Sequence, residues 1–168
     1  AHFTGKNEIE VAEKKYTGKK IVIATGSKPL KLKTSGIEKV KYYDNENLFH
    51  TDYLPKRLLV VGGGPIGIEM SQALGRLGSK VTVVDKAGDI LEHDDGAVTK
   101  ILLAQLKKEG IEFFFNIEIK NFSSEKRVEI EMKDGAKKPL EFDTIFFAMD
   151  RALNVEKLQL NNAGIEVK

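Results

Sequence analysis

The stretch that most constrains this chain is Leu58-Leu59-Val60-Val61-Gly62-Gly63-Gly64-Pro65-Ile66-Gly67-Ile68-Glu69, followed by Val81-Thr82-Val83-Val84-Asp85. The apolar run Leu58–Val61 predicts a strand, as does Ile21-Val22-Ile23-Ala24, which is apolar on both faces and expected to be buried in a sheet. The G-x-G-x-x-G after Leu58–Val61 predicts a tight turn into a helix, and the run Val81–Val84 a parallel strand ending in an acid. From Gly62 to Asp85 is 85 − 62 = 23 positions, near the roughly 20 at which such an acid meets a ribose 2′-hydroxyl. Each glycine has its own job: Gly62 permits the turn, Gly64 lets backbone approach a pyrophosphate, and Gly67 lets helix and strand pack closely. The helix N-terminus adds unpaired N–H groups and the positive end of a dipole. The pattern therefore points to dinucleotide binding.

Around this unit the sequence reads as alternating strands and helices. Arg57–Val61, Lys80–Asp85 and Ile111–Phe115 are expected parallel strands, joined by helices over Pro65–Leu77 and Gly96–Glu109. Pro65 suits the first helical position, where its missing N–H costs nothing. Asp94 or Asp95 can cap the second helix, Val98, Ile101, Leu102 and Leu106 are its expected inward residues, and Gly78 and Gly110 close the two helices. The period then changes to two. Glu118–Phe122, Arg127–Met132 and Lys138–Phe142 alternate apolar with polar residues across turn signals at 123–126 and 134–135, predicting a three-stranded antiparallel β-meander. Thr144–Ala148 returns as a buried strand. The fold class is α/β, a Rossmann-like parallel sheet flanked by helices, with the meander added. Nearer the start, Ile9–Val11 and Lys19–Ala24 read as strands about a turn at Lys14–Gly18, and a short helix is expected near Asn45–Phe49.

Composition removes several function classes. The chain has 168 residues, 41% hydrophobic and 31% charged, with a net charge of +2; its charges are interspersed, without the basic stripe of a nucleic-acid surface. The longest apolar runs are too short to cross a bilayer, and no signal peptide opens the sequence. A cytoplasmic protein without membrane or nucleic-acid partners is the expectation, and the missing initiator Met suggests an excised piece. Cysteine is absent, which removes disulfides and thiolate chemistry from this chain. His2, His50 and His93 stand apart, with no ligand spacing for a metal.

Further segments carry a resemblance. Ile21-Val22-Ile23-Ala24-Thr25-Gly26-Ser27-Lys28-Pro29, Leu54-Pro55-Lys56-Arg57 before the glycine loop, Gly78-Ser79-Lys80-Val81-Thr82-Val83-Val84, and Asp143–Asn154 together resemble the pyridine nucleotide-disulfide oxidoreductases, the flavoproteins that include dihydrolipoamide dehydrogenase and mercuric reductase. The resemblance implies that residues 1–29 are partial FAD-domain strands, 30–150 an NAD(H)-binding domain, and 151–168 the start of the return to the FAD domain. It implies FAD and a dimerisation domain in an intact, homodimeric parent, with NADH exchanging hydride with the flavin. It also places Glu69 on the flavin and nicotinamide side. Ala148-Met149-Asp150-Arg151-Ala152-Leu153-Asn154 departs from the family pattern, having Asp150 and Leu153 where relatives have Gly and Pro. An aspartate there adds negative charge close to an anionic dinucleotide.

The candidate cofactor-binding residues are Gly62, Gly63, Gly64, Pro65, Ile66, Gly67, Glu69, Asp85, Lys86, Ala148, Met149 and Asp150, with no metal site and no catalytic residue within the chain. Asp85 accepts hydrogen bonds from a ribose diol and repels a 2′-phosphate, while residues 86–93 offer only Lys86 and His93 as basic groups; NAD(H) is favoured over NADP(H). A nucleotide-sensing regulatory module without catalysis is the alternative. A stand-alone dehydrogenase is a third reading, for which the chain offers no acid–base residue.

Overall fold

Residues 1–30 and 32–167 are described by a computed structural model, which divides the chain into two units, Ala1–Leu30 with Asp150–Lys168, and Lys31–Met149. The first unit opens with β1 (His2–Gly5), β2 (Glu8–Val11) and β3 (Lys14–Thr17), an antiparallel meander in chain order. The turn expected at Lys14–Gly18 is thus a strand. The chain reverses earlier, through Ala12 and Glu13 at φ 47° and 64°, left-handed values that neither residue type advertises. Residues 19–26 form no strand, and Val22 is 86% exposed. The strand expected over Lys19–Ala24 has the right apolar run, yet no other strand of the described residues pairs with it, and pairing is what makes such a run a strand. β4 (Ser27–Pro29) pairs antiparallel with residues 151–153, where the Arg151 guanidinium donates to the Ser27 hydroxyl and carbonyl, both at 2.7 Å.

The second unit holds a parallel sheet. β5 (Tyr42–Tyr43) is followed by β6 (Arg57–Val61), α1 (Pro65–Arg76), β7 (Lys80–Val84), α2 (Gly96–Lys108) and β8 (Glu112–Phe114). Then come β9 (Ile117–Ser124), β10 (Arg127–Met132), β11 (Lys137–Glu141) and β12 (Thr144–Phe147). The remaining strand, β13 (Arg151–Leu153), is the partner of β4 in the first unit. The five-stranded sheet runs β5-β12-β6-β7-β8 with every pairing parallel, and β9, β10 and β11 form a separate antiparallel meander. This is the expected Rossmann-like sheet with its β-meander.

The pleat explains the layering. Leu58, Val60, Val81, Val83 and Phe146 pack with Ile68 of α1 and Leu106 of α2. Their neighbours Leu59, Val61, Val84, Ile145 and Phe147 pack with Phe122, Val128, Ile130 and Phe142 of the meander and its closing turn. Helices therefore cover one face of the sheet and the meander covers the other. Fully burying a Val or Leu contributes about 1.5–3 kcal/mol, so a register slip of one residue would cost several such terms. On the meander, Pro139 lies on β11, which among the described residues pairs only with β10; a proline on an edge strand blocks further pairing.

Asp95, rather than Asp94, caps α2: its Oδ1 accepts from the N–H groups of Ala97 at 2.8 Å and Val98 at 3.4 Å. Val98 and Ile101 are 64% and 74% exposed, against the expectation that they face inward. Leu102 and Leu106 do face inward as expected, joined by Thr99 and Leu103 in place of Val98 and Ile101. With apolar residues at 97, 98, 101–104 and 106, two helical faces competed, and the one carrying leucine pairs was buried. Near Asn45–Phe49 the expected helix is a 3-10 turn, Leu48–His50, preceded by Asp44, whose Oδ1 accepts from the N–H groups of Glu46 and Asn47 at 2.9 and 3.2 Å.

Two features lead to stability predictions. Glu109, after α2, accepts from Arg76 Nε and Nη2 at 2.9 and 2.8 Å and from Gln72 and Gln105 at 3.2 and 2.9 Å. Arg76 first, then the amides, hold the Glu109 carboxyl at about 2, below its usual 4.5. A lowered folded pKa contributes stability that is complete above the unfolded value and lost as pH falls through the folded one. Glu109→Gln should therefore melt below the parent chain at pH 7, and the two melting temperatures should converge as pH approaches 2. Ser71 of α1 is fully buried and its hydroxyl has no hydrogen-bond partner among the described residues. Ser71→Ala removes that desolvated group and should stabilise the chain by about 1 kcal/mol in urea unfolding.

Candidate functional site

The site forms where the chain leaves β6. From β6 the chain passes through α1 to β7 on one side of the sheet, while β12 returns on the other side. The crevice between β6 and β12 at their carboxyl ends is thus a topological switch point, where α/β sheets bind ligands. Gly62 follows β6 at φ 114°, and a Cβ on it would lie 2.3 Å from the Ala148 carbonyl oxygen. Ala148 in turn donates its N–H to the Val61 carbonyl at 2.8 Å. Gly67, in the first turn of α1, would put a Cβ 2.0 Å from the Gly62 carbonyl oxygen and 3.2 Å from the Ala148 Cβ. The three residues interlock, and only glycine fits at 62 and 67.

Gly64 differs, because a Cβ there would meet nothing within 4 Å. As the N-cap of α1 it has no side chain with which to cap the helix. The N–H groups of Gly64, Ile66 and Gly67 consequently have no acceptor among the described residues, and Pro65 has none to offer. α2, by contrast, is closed by Asp95. An uncapped helix start beside open space can take an anion: three donors lack acceptors and the helix dipole adds a partial positive charge.

Asp85 follows β7, half-buried, at the same carboxyl edge. Its Oδ2 accepts the Gly63 N–H in a short hydrogen bond, and its Oδ1 accepts the Ala87 N–H at 2.8 Å. Backbone donors therefore fix the carboxylate, leaving its outer lone pairs to accept from a diol. The Gly63 carbonyl accepts the Leu91 N–H at 2.9 Å, so the connection after β7 holds both sides of the Gly63 peptide. Leu91 does this at φ 50°, and Ile90 beside it is buried. No sequence signal foretold that clamp, since leucine rarely adopts a left-handed conformation.

The remaining candidates fall into different places. Pro65, Ile66 and Glu69 lie exposed in the first turns of α1, and Lys86 is exposed next to Asp85. Ala148 and Met149 are half-buried just past β12; Ala148 sits under α1 and Met149 packs towards the meander side. Asp150 belongs to the other unit, where its carbonyl accepts the Leu30 N–H at 2.9 Å. Among the described residues no His, Cys, Asp or Glu group could hold a metal ion, and no helix is long and apolar enough to cross a membrane.

An all-parallel sheet with a glycine turn into an uncapped helix and an acid after the next strand defines an α/β protein of the Rossmann-like class. Residues 1–168 match the family pyridine nucleotide-disulphide oxidoreductase, and the chain belongs to that family. It is 33% identical over 171 residues to dihydrolipoyl dehydrogenase of Thermus scotoductus, covering 99% of this chain and 37% of that protein. It is 30% identical over 169 residues to mercuric reductase of Lysinibacillus sphaericus, covering 99% of this chain and 31% of the other. Among solved structures, the HOCl-induced flavoprotein disulfide reductase RclA from Escherichia coli superposes with a TM-score of 0.81 at 26% identity, over 99% of this chain and 38% of that one. The chain thus spans about a third of the length of these relatives, 31–38%.

Proposed function

We propose that this chain is the NAD(H)-binding part of an FAD-dependent pyridine nucleotide-disulfide oxidoreductase, and that it positions NADH for hydride exchange with the flavin. The observation that carries the reading is the start of α1: three N–H groups with no acceptor among the described residues, open space beside Gly64, and a carboxylate fixed 23 positions after the first glycine (85 − 62 = 23). The N–H groups of Gly64, Ile66 and Gly67 hold the pyrophosphate, and Gly64 contributes nothing that would obstruct it. Asp85, kept in place by Gly63 and Ala87, accepts from the adenosine ribose diol. Gly62, Gly67 and Ala148 keep α1 close to the sheet, so the donors stay aimed.

When bound, the nicotinamide and flavin supply the hydride chemistry, and the protein supplies orientation and electrostatics. In this reading residues 30–150 carry the nucleotide, and 1–29 with 151–168 belong to the FAD-binding part of a longer cytoplasmic homodimer. Support for the longer protein comes from the relatives, of which the chain covers 31–38%.

Cofactor choice supplies the test. A charge-assisted hydrogen bond contributes about 1.5–3 kcal/mol, so a ribose diol on Asp85 should favour NADH over NADPH by about tenfold or more. Fluorescence titration of the chain should show that preference, and Asp85→Asn should reduce it to a few-fold. Tighter binding of NADPH than NADH by the parent chain would refute the assignment.

A further inference from the structure

One donor at the start of α1 takes its direction from outside the glycine loop. The Gly63 carbonyl and the Gly64 N–H belong to the same peptide unit, which is trans. In a planar trans peptide the two point in opposite directions. The Gly63 carbonyl accepts the Leu91 N–H at 2.9 Å, so the Gly64 N–H points away from the connection that follows β7. That connection lies close against the peptide: a Cβ on Gly63 would stand 3.1 Å from Asp85 Oδ2 and 3.7 Å from the Ile90 Cα.

Leu91 makes this bond from an unfavourable backbone. Its φ of 50° is left-handed, where the Cβ of an L-residue crowds the following carbonyl oxygen. The loop holds it there. Ile90 is buried in the core on the helix side of the sheet, its N–H donates to Asp89 Oδ1 at 2.8 Å, and the Asp94 N–H donates to the Leu91 carbonyl at 2.8 Å. Backbone strain persists only where the surroundings over-determine it, and it concentrates at functional sites. The half-buried Leu91 side chain packs at the margin of the same core, which packing alone would explain with an ordinary backbone.

We propose that Leu91 is a positioning residue for dinucleotide binding: its left-handed backbone, and not its side chain, turns the 63–64 peptide so that the Gly64 N–H meets the pyrophosphate. The inference rests on the dinucleotide reading above and adds to it a residue outside the glycine loop. It has a reciprocal consequence. A phosphate that accepts from the Gly64 N–H polarises the peptide and makes the Gly63 carbonyl a better acceptor. The Leu91 bond then tightens when the nucleotide binds, because coupling between two sites acts in both directions. Nucleotide and loop 86–94 are linked through one peptide, and the Leu91 side chain need not touch the nucleotide.

Two substitutions separate backbone from side chain. Asparagine accepts left-handed φ but gives up the apolar side chain, whereas isoleucine keeps the apolar volume and, being β-branched, resists that φ. In fluorescence titration of the whole chain, Leu91→Asn should bind NADH within about twofold of the parent, and Leu91→Ile about tenfold or more weakly. A packing role predicts the reverse order; that order, or equal binding by the parent and both variants, overturns the proposal. Amide hydrogen exchange of the parent chain needs no variant to fold. The Leu91 N–H should exchange more slowly when NADH saturates the chain, while the Gly135 N–H in the meander, bonded to the Met132 carbonyl at 2.9 Å, should not change. An unchanged Leu91 rate in a chain that binds NADH overturns the role of Leu91 and leaves dinucleotide binding in place. No binding of NADH by the parent chain overturns the dinucleotide reading and the positioning role with it.

Discussion

Gly67→Ala should reduce NADH binding by at least about a hundredfold and lower the stability of the chain by about 1–3 kcal/mol or more. The added methyl would lie 2.0 Å from the Gly62 carbonyl oxygen and 3.2 Å from the Ala148 Cβ. Neither neighbour is the free end of a long side chain: Gly62 is held by its N–H bond to Val84, and Ala148 by its bond to Val61. The strain is relieved only by lifting the first turn of α1 from the sheet, and that turn carries the free N–H groups. Titration with NADH and a urea melt measure the two effects. Gly64→Ala separates them. Its methyl meets nothing within 4 Å, so the melt should be unchanged, while a methyl in the space meant for phosphate should weaken NADH by about tenfold.

Gly36→Ala should be the most damaging change away from the glycine loop. Gly36 lies at φ 82°, and a Cβ there would stand 2.2 Å from the Phe122 carbonyl oxygen. This is where the chain before β5 grips the meander: Phe122 N–H donates to the Ser35 carbonyl at 2.9 Å, and Ser35 bridges Asn121 in parallel. Left-handed strain of about 1–2 kcal/mol adds to overpacking of about 1–3 kcal/mol. At about 2–4 °C per kcal/mol for a chain of this size, the melting temperature should fall by about 5–20 °C. NADH affinity of the fraction still folded should change little, because Gly36 touches the meander rather than α1. A melt within about 2 °C of the parent would contradict the packing described.

Most of the second unit was legible because its signals were redundant. β6, α1 and β7 were marked at once by apolar runs, by Pro65 at the helix start and by the glycines, and β10 was found at Arg127–Met132. Misreadings arose where local chemistry allowed two answers. Ile21–Ala24 looks like a buried strand, but strand formation depends on a neighbour, which periodicity does not report. Val98 and Ile101 belong to one of two apolar faces of α2, and the sheet selected the other. The β2–β3 turn uses Ala12 and Glu13 in left-handed conformations, so no glycine or asparagine announced it.

At the site, the sequence marked the two glycines that close contacts require, Gly62 and Gly67, with Gly64 at the helix start and the acid after β7. It was silent about what holds them. Leu91 and Ala87 act through backbone groups, and side-chain identity leaves no trace of such contacts. Gly63 and Leu91 lie 28 positions apart in the chain (91 − 63 = 28), and only the parallel pairing of β6 with β7 brings them together.

Amide NMR of the isotopically labelled chain titrated with NADH tests the central claim most directly, because it locates the nucleotide residue by residue. The largest perturbations are predicted at the N–H groups of Gly64, Ile66 and Gly67, with Ala87 following as Asp85 takes up the ribose. Lys126 and Glu129 of the meander should not move. No perturbation at about 1 mM NADH, where even weak binding registers, or shifts confined to residues away from the start of α1, would contradict the account.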